Sequence, residues 1–102
     1  MTNKEDMTMY KQAIEAYGKY TDNQSKILCA LIENSVNNLV YTPVTKLNKQ
    51  TGVTRPTIYA TLNVLQIDGL IVKDSNTKGA FKIQQEKIDF ILNSYKKVSW
   101  AC

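Results

Sequence analysis

The side chains best suited to bind a charged ligand lie together between residues 54 and 57. Thr54, Arg55 and Thr57 combine two hydroxyl groups with the only arginine of the chain. A guanidinium group binds phosphate, or the edge of guanine, through two parallel hydrogen bonds. At the start of a helix, free backbone N–H groups and the helix dipole attract the same anionic groups. The segment therefore predicts a nucleic-acid contact; the alternative for Arg55 is a solvated surface charge.

Residues for catalysis or metal binding are not evident. The chain has no histidine, and it has no glycine-rich phosphate loop and no acid pair within a motif. Cys29 and Cys102 lack the spacing of a metal site or redox pair and are predicted to be free thiols in a reducing compartment. No apolar run approaches the roughly 18 to 20 residues that span a bilayer, and the N-terminus does not resemble a signal peptide. We expect a cytoplasmic protein that is not an enzyme and needs no cofactor or metal.

The net charge of +4 is concentrated in the middle of the chain. The segments 1–24 and 84–102 are nearly neutral, whereas residues 25–83 carry seven basic and three acidic side chains. Clustered positive charge is the footprint of a partner such as double-stranded DNA. Each lysine taken alone is more often a solvated charge than a contact. The candidate DNA-binding lysines are Lys46, Lys49, Lys73, Lys78 and Lys82.

Two amphipathic helices are predicted in the first third of the chain. The first lies within residues 4–20 and ends near Gly18. The second is capped by Asp22 or Ser25. Their apolar faces are Met7, Tyr10, Ile14 and Tyr17 in the first helix, and Ile27, Leu28, Leu31 and Ile32 in the second.

A helix-turn-helix follows a brief strand at residues 39–41. Thr42 is expected to cap its first helix, with Pro43 at the first helical position, where no backbone donor is lost. Gly52 supplies a left-handed residue for the sharp turn, and Val53 fills that turn. The second helix runs from residue 55 to about residue 68, with Ile58, Leu62 and Leu65 directed to the core.

The second helix also carries an apolar stripe opposite its core side. A helix that is apolar on two sides is usually buried on both. We therefore predict that this stripe packs against its twin in a two-fold homodimer, which leaves the first turn of the helix for DNA. The alternative is that the stripe packs under the N- or C-terminal helix of the same chain. Its residues are Ala60, Val64 and Ile67.

Residues 70–83 are predicted to form a β-hairpin. Residues 70–73 and 80–83 are predicted strands joined by a polar turn, and residues 85–97 form a final helix followed by a frayed tail, 98–102. The predicted fold is mainly α with a small β-hairpin: a winged helix-turn-helix flanked by N- and C-terminal helices. We divide the chain into an extension (1–24), a DNA-binding core (25–83) and a C-terminal helix and tail (84–102).

The decapeptide from Thr54 to Asn63 resembles the recognition-helix sequence of TubR proteins, which are centromere-binding adaptors of tubulin-like plasmid and phage partition systems. The shared pattern is Arg/Lys-Pro-Thr, an aromatic residue, Ala-Thr, an apolar residue and Asn, and looser similarity extends from residue 25 to about 97. The resemblance implies a dimer with paired recognition helices, repeated DNA sites, autoregulation of a partition operon and recruitment of a TubZ-like GTPase filament. It also implies DNA contacts by Thr54, Arg55, Thr57 and Lys78.

Two other functions share these sequence features. A general winged-helix transcriptional repressor differs only in lacking a polymer partner and an array of sites. A winged-helix protein-interaction module would bind DNA weakly, and its binding would depend little on salt. Neutralising Z phosphates gives a log-log salt slope of about −0.9Z, so salt dependence separates this module from both DNA-binding functions.

Overall fold

The computed structural model describes the backbone of residues 4–101 and the side chains of residues 8–95. Within this range, no helix is both long enough and apolar enough to cross a membrane. The mainly helical architecture with a small sheet agrees with the predicted fold. In chain order its elements are α1 (Lys4–Tyr17), α2 (Asp22–Asn34), β1 (Leu39–Val40), α3 (Val44–Thr51), α4 (Arg55–Ile67), β2 (Ile71–Lys73), β3 (Phe81–Ile83) and α5 (Gln85–Ala101).

The cap of α2 differs from the prediction. Thr21 is the N-cap, rather than Asp22 or Ser25. The Thr21 Oγ1 accepts a hydrogen bond from the Gln24 backbone N–H at 3.1 Å, and the Thr21 N–H donates to the Gln24 Oε1 at 3.0 Å. This reciprocal capping box satisfies two backbone donors at once. Asp22 instead lies in the first turn, where its carboxylate faces the positive end of the helix dipole.

The start of α3 also lies one residue later than predicted. Pro43, not Thr42, is the N-cap, with extended backbone angles, and its carbonyl accepts the Leu47 N–H at 3.1 Å. The fixed φ of proline, here −58°, suits both a first helical residue and this extended N-cap, so the ring of Pro43 does not decide between the two positions.

The sheet is antiparallel, with the strand order β1-β3-β2. The predicted hairpin is confirmed as β2 and β3, and β1 pairs with the free side of β3. Leu70 and Ala80 were expected in the strands but lie just outside them. A two-residue turn at Asn37 and Asn38, both with positive φ, leads into β1.

The core lies between α2, α3, α4 and the inner face of the sheet, while α1 packs against α2 and α5. The predicted core sides of α2 and α4 are confirmed, and in α1 Ile14 is buried. Tyr17 is 40% exposed, contrary to the prediction, because it ends α1 and lies beside Tyr20 at the surface. The side chain of Met7 lies outside the described residues. The main buried residues are Ile27, Leu28, Leu31, Leu47, Ile58, Leu65, Ile71 and Ile88.

The C-terminal helix is longer than predicted. The segment 98–101, expected to be a frayed tail, continues α5 to Ala101. It contains no glycine or proline that would end a helix. Cys102 lies outside the described residues.

The turn between α3 and α4 confirms the predicted roles of Gly52 and Val53. Gly52 has φ 76°, in the left-handed region, and its N–H donates to the Asn48 carbonyl at 2.8 Å. The Asn48 side-chain amide donates to the Val53 carbonyl at 2.8 Å, and the Val53 side chain is buried. These contacts fix the angle at which α4 leaves the turn.

Replacing Gly52 with alanine is expected to lower the free energy of unfolding by about 1–2 kcal/mol. A Cβ at residue 52 would meet nothing within 4 Å, so the loss would come from backbone strain alone. Gly52→Asn should cost less, because asparagine tolerates the left-handed region better than alanine. Urea unfolding of both variants measures the difference. Equal losses would contradict a requirement for positive φ.

Candidate nucleic-acid interface

The first turn of α4 presents an anion-binding end to solvent. Thr54 is the N-cap, yet its hydroxyl donates to the Thr57 hydroxyl at 3.1 Å and no side chain caps the backbone. Pro56 occupies the first turn, where its missing N–H costs no helical hydrogen bond. Thr54 and Arg55 are exposed and Thr57 is half-buried. The backbone donors and Arg55 are therefore available to an external ligand.

Arg55 links the exposed starts of α4 and α3. Its Nη2 lies 3.5 Å from the Thr45 Oγ1, a long contact that leaves the guanidinium free to bind elsewhere. Lys46 and Lys49 are exposed on α3, and neither forms an ion pair with any described residue. The residues Arg55–Ile67 include no acidic side chain. The helix pair thus presents three cations with no carboxylate on α4 to oppose them.

The wing is the hairpin formed by β2 and β3, and its three lysines lie in three different settings. Lys73 lies opposite Phe81, and Lys82 lies opposite Val72. Because side chains alternate along a strand, Lys73 and Lys82 leave opposite faces of the hairpin. Lys78 lies in the turn between the strands. A duplex lying against one face of the wing would therefore meet Lys73 or Lys82, but not both.

Asp74 organises the wing turn and pairs with one of its lysines. Its carboxylate accepts the Thr77 N–H at 2.9 Å and lies 3.7 Å from the Lys82 Nζ. The Asp74 side chain is only 5% exposed, whereas that of Lys82 is 60% exposed. Lys82 is therefore partly neutralised within the protein, while Lys78 has no ion-pair partner among the described residues.

The predicted dimer residues form an apolar flank of α4, defined as Ala60, Val64 and Ile67. Ala60 and Ile67 are exposed, Ile67 to 75%, and Val64 is half-buried. The alternative prediction, that this flank lies under a terminal helix, does not hold for Ala60 and Ile67, because both side chains are exposed. An isoleucine exposed to this extent beside other apolar groups is typical of an interaction surface.

A polar flank on the same helix was missed in the sequence analysis. Arg55, Tyr59 and Asn63 follow one another at four-residue spacing and are all exposed. Apolar periodicity does not reveal this line, whereas the same four-residue spacing applied to polar residues does.

The far end of α4 is held by a contact with no local sequence signal. The Tyr20 hydroxyl donates to the Asp68 carboxylate at 2.8 Å, and the Lys19 Nζ lies 3.4 Å from the same group. Burial, followed by the hydrogen bond to Asp68, raises the pKa of Tyr20 above its ordinary value. The contact ties the segment between α1 and α2 to the end of the candidate recognition helix.

Cys29 lines a cleft of about 310 Å³ whose walls include Lys11, Glu15 and Glu33. Burial raises the pKa of the Cys29 thiol from 9.0 to about 11.

In a Cys102→Ser background, we expect iodoacetamide to modify folded Cys29 at pH 8 about 100-fold more slowly than the unfolded chain, because less thiolate is present. Folding stability should also fall between pH 9.0 and about 11, because the unfolded thiol loses its proton first. Equal alkylation rates in buffer and urea would contradict this.

Comparison with known proteins supports the fold and nothing finer. No protein-family model matches the chain, and no curated protein sequence matches it. The crystal structure of ligand-free NadR is similar, with 21% sequence identity, a TM-score of 0.51, and coverage of 92% of this chain and 73% of that chain. At this identity the likeness concerns the fold alone. The chain has a winged helix-turn-helix fold of the kind found in NadR.

Proposed function

We propose that this chain is a sequence-specific, dimeric DNA-binding protein. In this proposal the first turn of α4 enters the major groove, where Arg55 contacts guanine or phosphate and Thr54 and Thr57 contact the backbone. Lys46 and Lys49 flank the groove from α3, and the wing adds Lys78. The observation that carries the proposal is the uncapped, exposed start of α4 with Arg55 at its first position.

The distribution of charge supports this function. Lys46, Lys49 and Arg55 are exposed on two adjacent helices, and α4 contributes no carboxylate. A surface of this kind attracts a polyanion. The winged helix-turn-helix fold provides the scaffold by which a recognition helix is presented to the major groove.

The biological role we propose is that of a centromere-binding adaptor in a plasmid or phage partition system. It would bind repeated DNA sites as a homodimer, act in the cytoplasm and recruit a TubZ-like GTPase filament. The resemblance of Thr54–Asn63 to TubR proteins supports this role, and the exposed apolar flank of α4 suits a dimer with paired recognition helices. A general transcriptional repressor is the second candidate, since the NadR-like fold suits it equally.

A footprint on the DNA flanking the gene tests these candidates. A long protected array of repeats would support the partition role, whereas one short inverted site would favour the repressor. If no site is protected, and the protein binds duplex DNA only weakly and with little dependence on salt, the result would contradict the DNA-binding function. It would favour a protein-interaction module. Pull-down of a purified tubulin-like GTPase by the protein with and without its DNA would then test filament recruitment.

The wing lysines are expected to contribute unequally to DNA affinity. Lys78→Ala should reduce the magnitude of the log-log salt slope by about 0.9, the value for one lost phosphate contact. Lys82→Ala should reduce it less, because Asp74 already neutralises part of that charge. Fluorescence anisotropy over a salt series measures both slopes. A larger change for Lys82→Ala would contradict this ranking.

A further inference from the structure

The polar flank of α4 extends well beyond the turn assigned to DNA in the proposed function. Successive residues of an α-helix are 100° and 1.5 Å apart, so Asn63 lies about 12 Å along the axis from Arg55. That distance is close to the width of the major groove, about 12 Å. The flank is therefore long enough to reach across the groove rather than only to touch its edge.

Apart from the long contact of Arg55 with Thr45, the side chains of this flank make no polar contact within the described part of the chain. Tyr59 is 62% exposed, and Asn63 is also exposed. Neither makes a hydrogen bond within the described part of the chain, whereas the hydroxyls of Thr57 and Thr61 are both engaged. A carboxamide and a phenol thus project from a helix that carries one cation and no acidic residue.

We propose that Asn63 reads an adenine base and that Tyr59 binds a backbone phosphate of the same duplex. The proposal rests on the DNA-binding function given above and adds a specificity-determining residue to it. An asparagine carboxamide accepts a hydrogen bond from the adenine N6 and donates one to N7, and these two bonds distinguish adenine in the major groove. A tyrosine hydroxyl donates to phosphate oxygen without sequence preference.

The assignment is compatible with a dimer formed through the same helix. On a helical wheel, Arg55, Tyr59 and Asn63 lie about 150°, 110° and 70° from the centre of the apolar flank. Arg55 and Tyr59 therefore lie away from the twin helix in such a dimer, and Asn63 lies at the border of the contact, on the side that meets the DNA. The 12 Å axial spacing corresponds to between three and four base pairs at 3.4 Å per base pair, and we expect the bases read by Arg55 and Asn63 to be about that far apart.

Selection from a pool of randomised DNA duplexes tests the assignment. Wild-type protein should enrich a motif with an A·T pair within about four base pairs of a G·C pair, and the G·C preference should be lost in Arg55→Ala. Asn63→Ala should lose the A·T preference, with discrimination falling roughly 10- to 100-fold. Tyr59→Phe should keep the motif but bind every sequence more weakly. The matched control is Asn93→Ala, at an exposed asparagine of α5, which should behave as wild type.

Three outcomes would overturn the assignment. The first is that Asn63→Ala still enriches the wild-type motif. The second is that Asn93→Ala loses the A·T preference as much as Asn63→Ala does. The third is conversion of Asn63→Ala to a monomer in analytical ultracentrifugation, which would assign the polar flank to the dimer interface. If the wild-type protein enriches no sequence, the DNA-binding function itself fails, and this assignment fails with it.

Discussion

Replacing Arg55 with alanine is expected to weaken specific DNA binding by roughly 10- to 100-fold, the value of one good bidentate contact. Arg55 is the first residue of α4 and is exposed, and its one described polar contact, to Thr45, is long. The fold should therefore tolerate the change, and alanine is the best helix former. Anisotropy titrations on the footprinted site would measure the affinity, and circular dichroism would confirm that the helix content is unchanged.

Two further variants separate the contribution of the Arg55 guanidinium geometry from that of positive charge. Arg55→Lys keeps the positive charge but loses the planar pair of donors, so it should recover only part of the affinity. Lys11→Ala removes one exposed charge from α1, outside the residues proposed to contact DNA, and should change binding little. If Lys11→Ala weakened binding as much as Arg55→Ala, net charge rather than the site would explain the loss.

The parts of the fold that depend on apolar periodicity were predictable from the sequence. The core sides of α2 and α4 follow helical spacing, and the turn at Gly52 needs a residue with positive φ, for which glycine is the usual choice. Helix starts were less predictable. Thr21 and Asp22 are adjacent and both can cap a helix, and the outcome depends on Gln24 reaching back to Thr21.

The candidate interface was predictable in composition but not in geometry. The sequence places three lysines on the hairpin, yet only the strand register shows that Lys73 and Lys82 leave opposite faces. The pairing of Lys82 with Asp74 depends on how the wing turn closes, because the two residues approach across the hairpin. The contact between Tyr20 and Asp68 joins residues 48 positions apart, so no local pattern could indicate it.

The exposure of each residue in the apolar flank shows which substitution best tests the predicted dimer. The apolar stripe alone would favour Val64→Asp as the test, but Val64 is half-buried, so that variant also tests folding. Ile67 is 75% exposed and can be changed to aspartate with little effect on the monomer. The matched control is Val36→Asp, since Val36 is 71% exposed and lies before β1, outside α4.

Ile67→Asp is expected to convert the proposed dimer to a monomer at micromolar concentration. In a two-fold interface each substitution occurs twice, so two carboxylates would be desolvated beside apolar groups. We expect dimerisation to weaken by at least about 100-fold, which corresponds to about 2.7 kcal/mol. Sedimentation equilibrium would measure it, and DNA affinity should fall in parallel because two half-sites are no longer bound together. An Ile67→Asp protein that remains dimeric, or a Val36→Asp protein that becomes monomeric, would show that the subunits meet elsewhere than on the apolar flank.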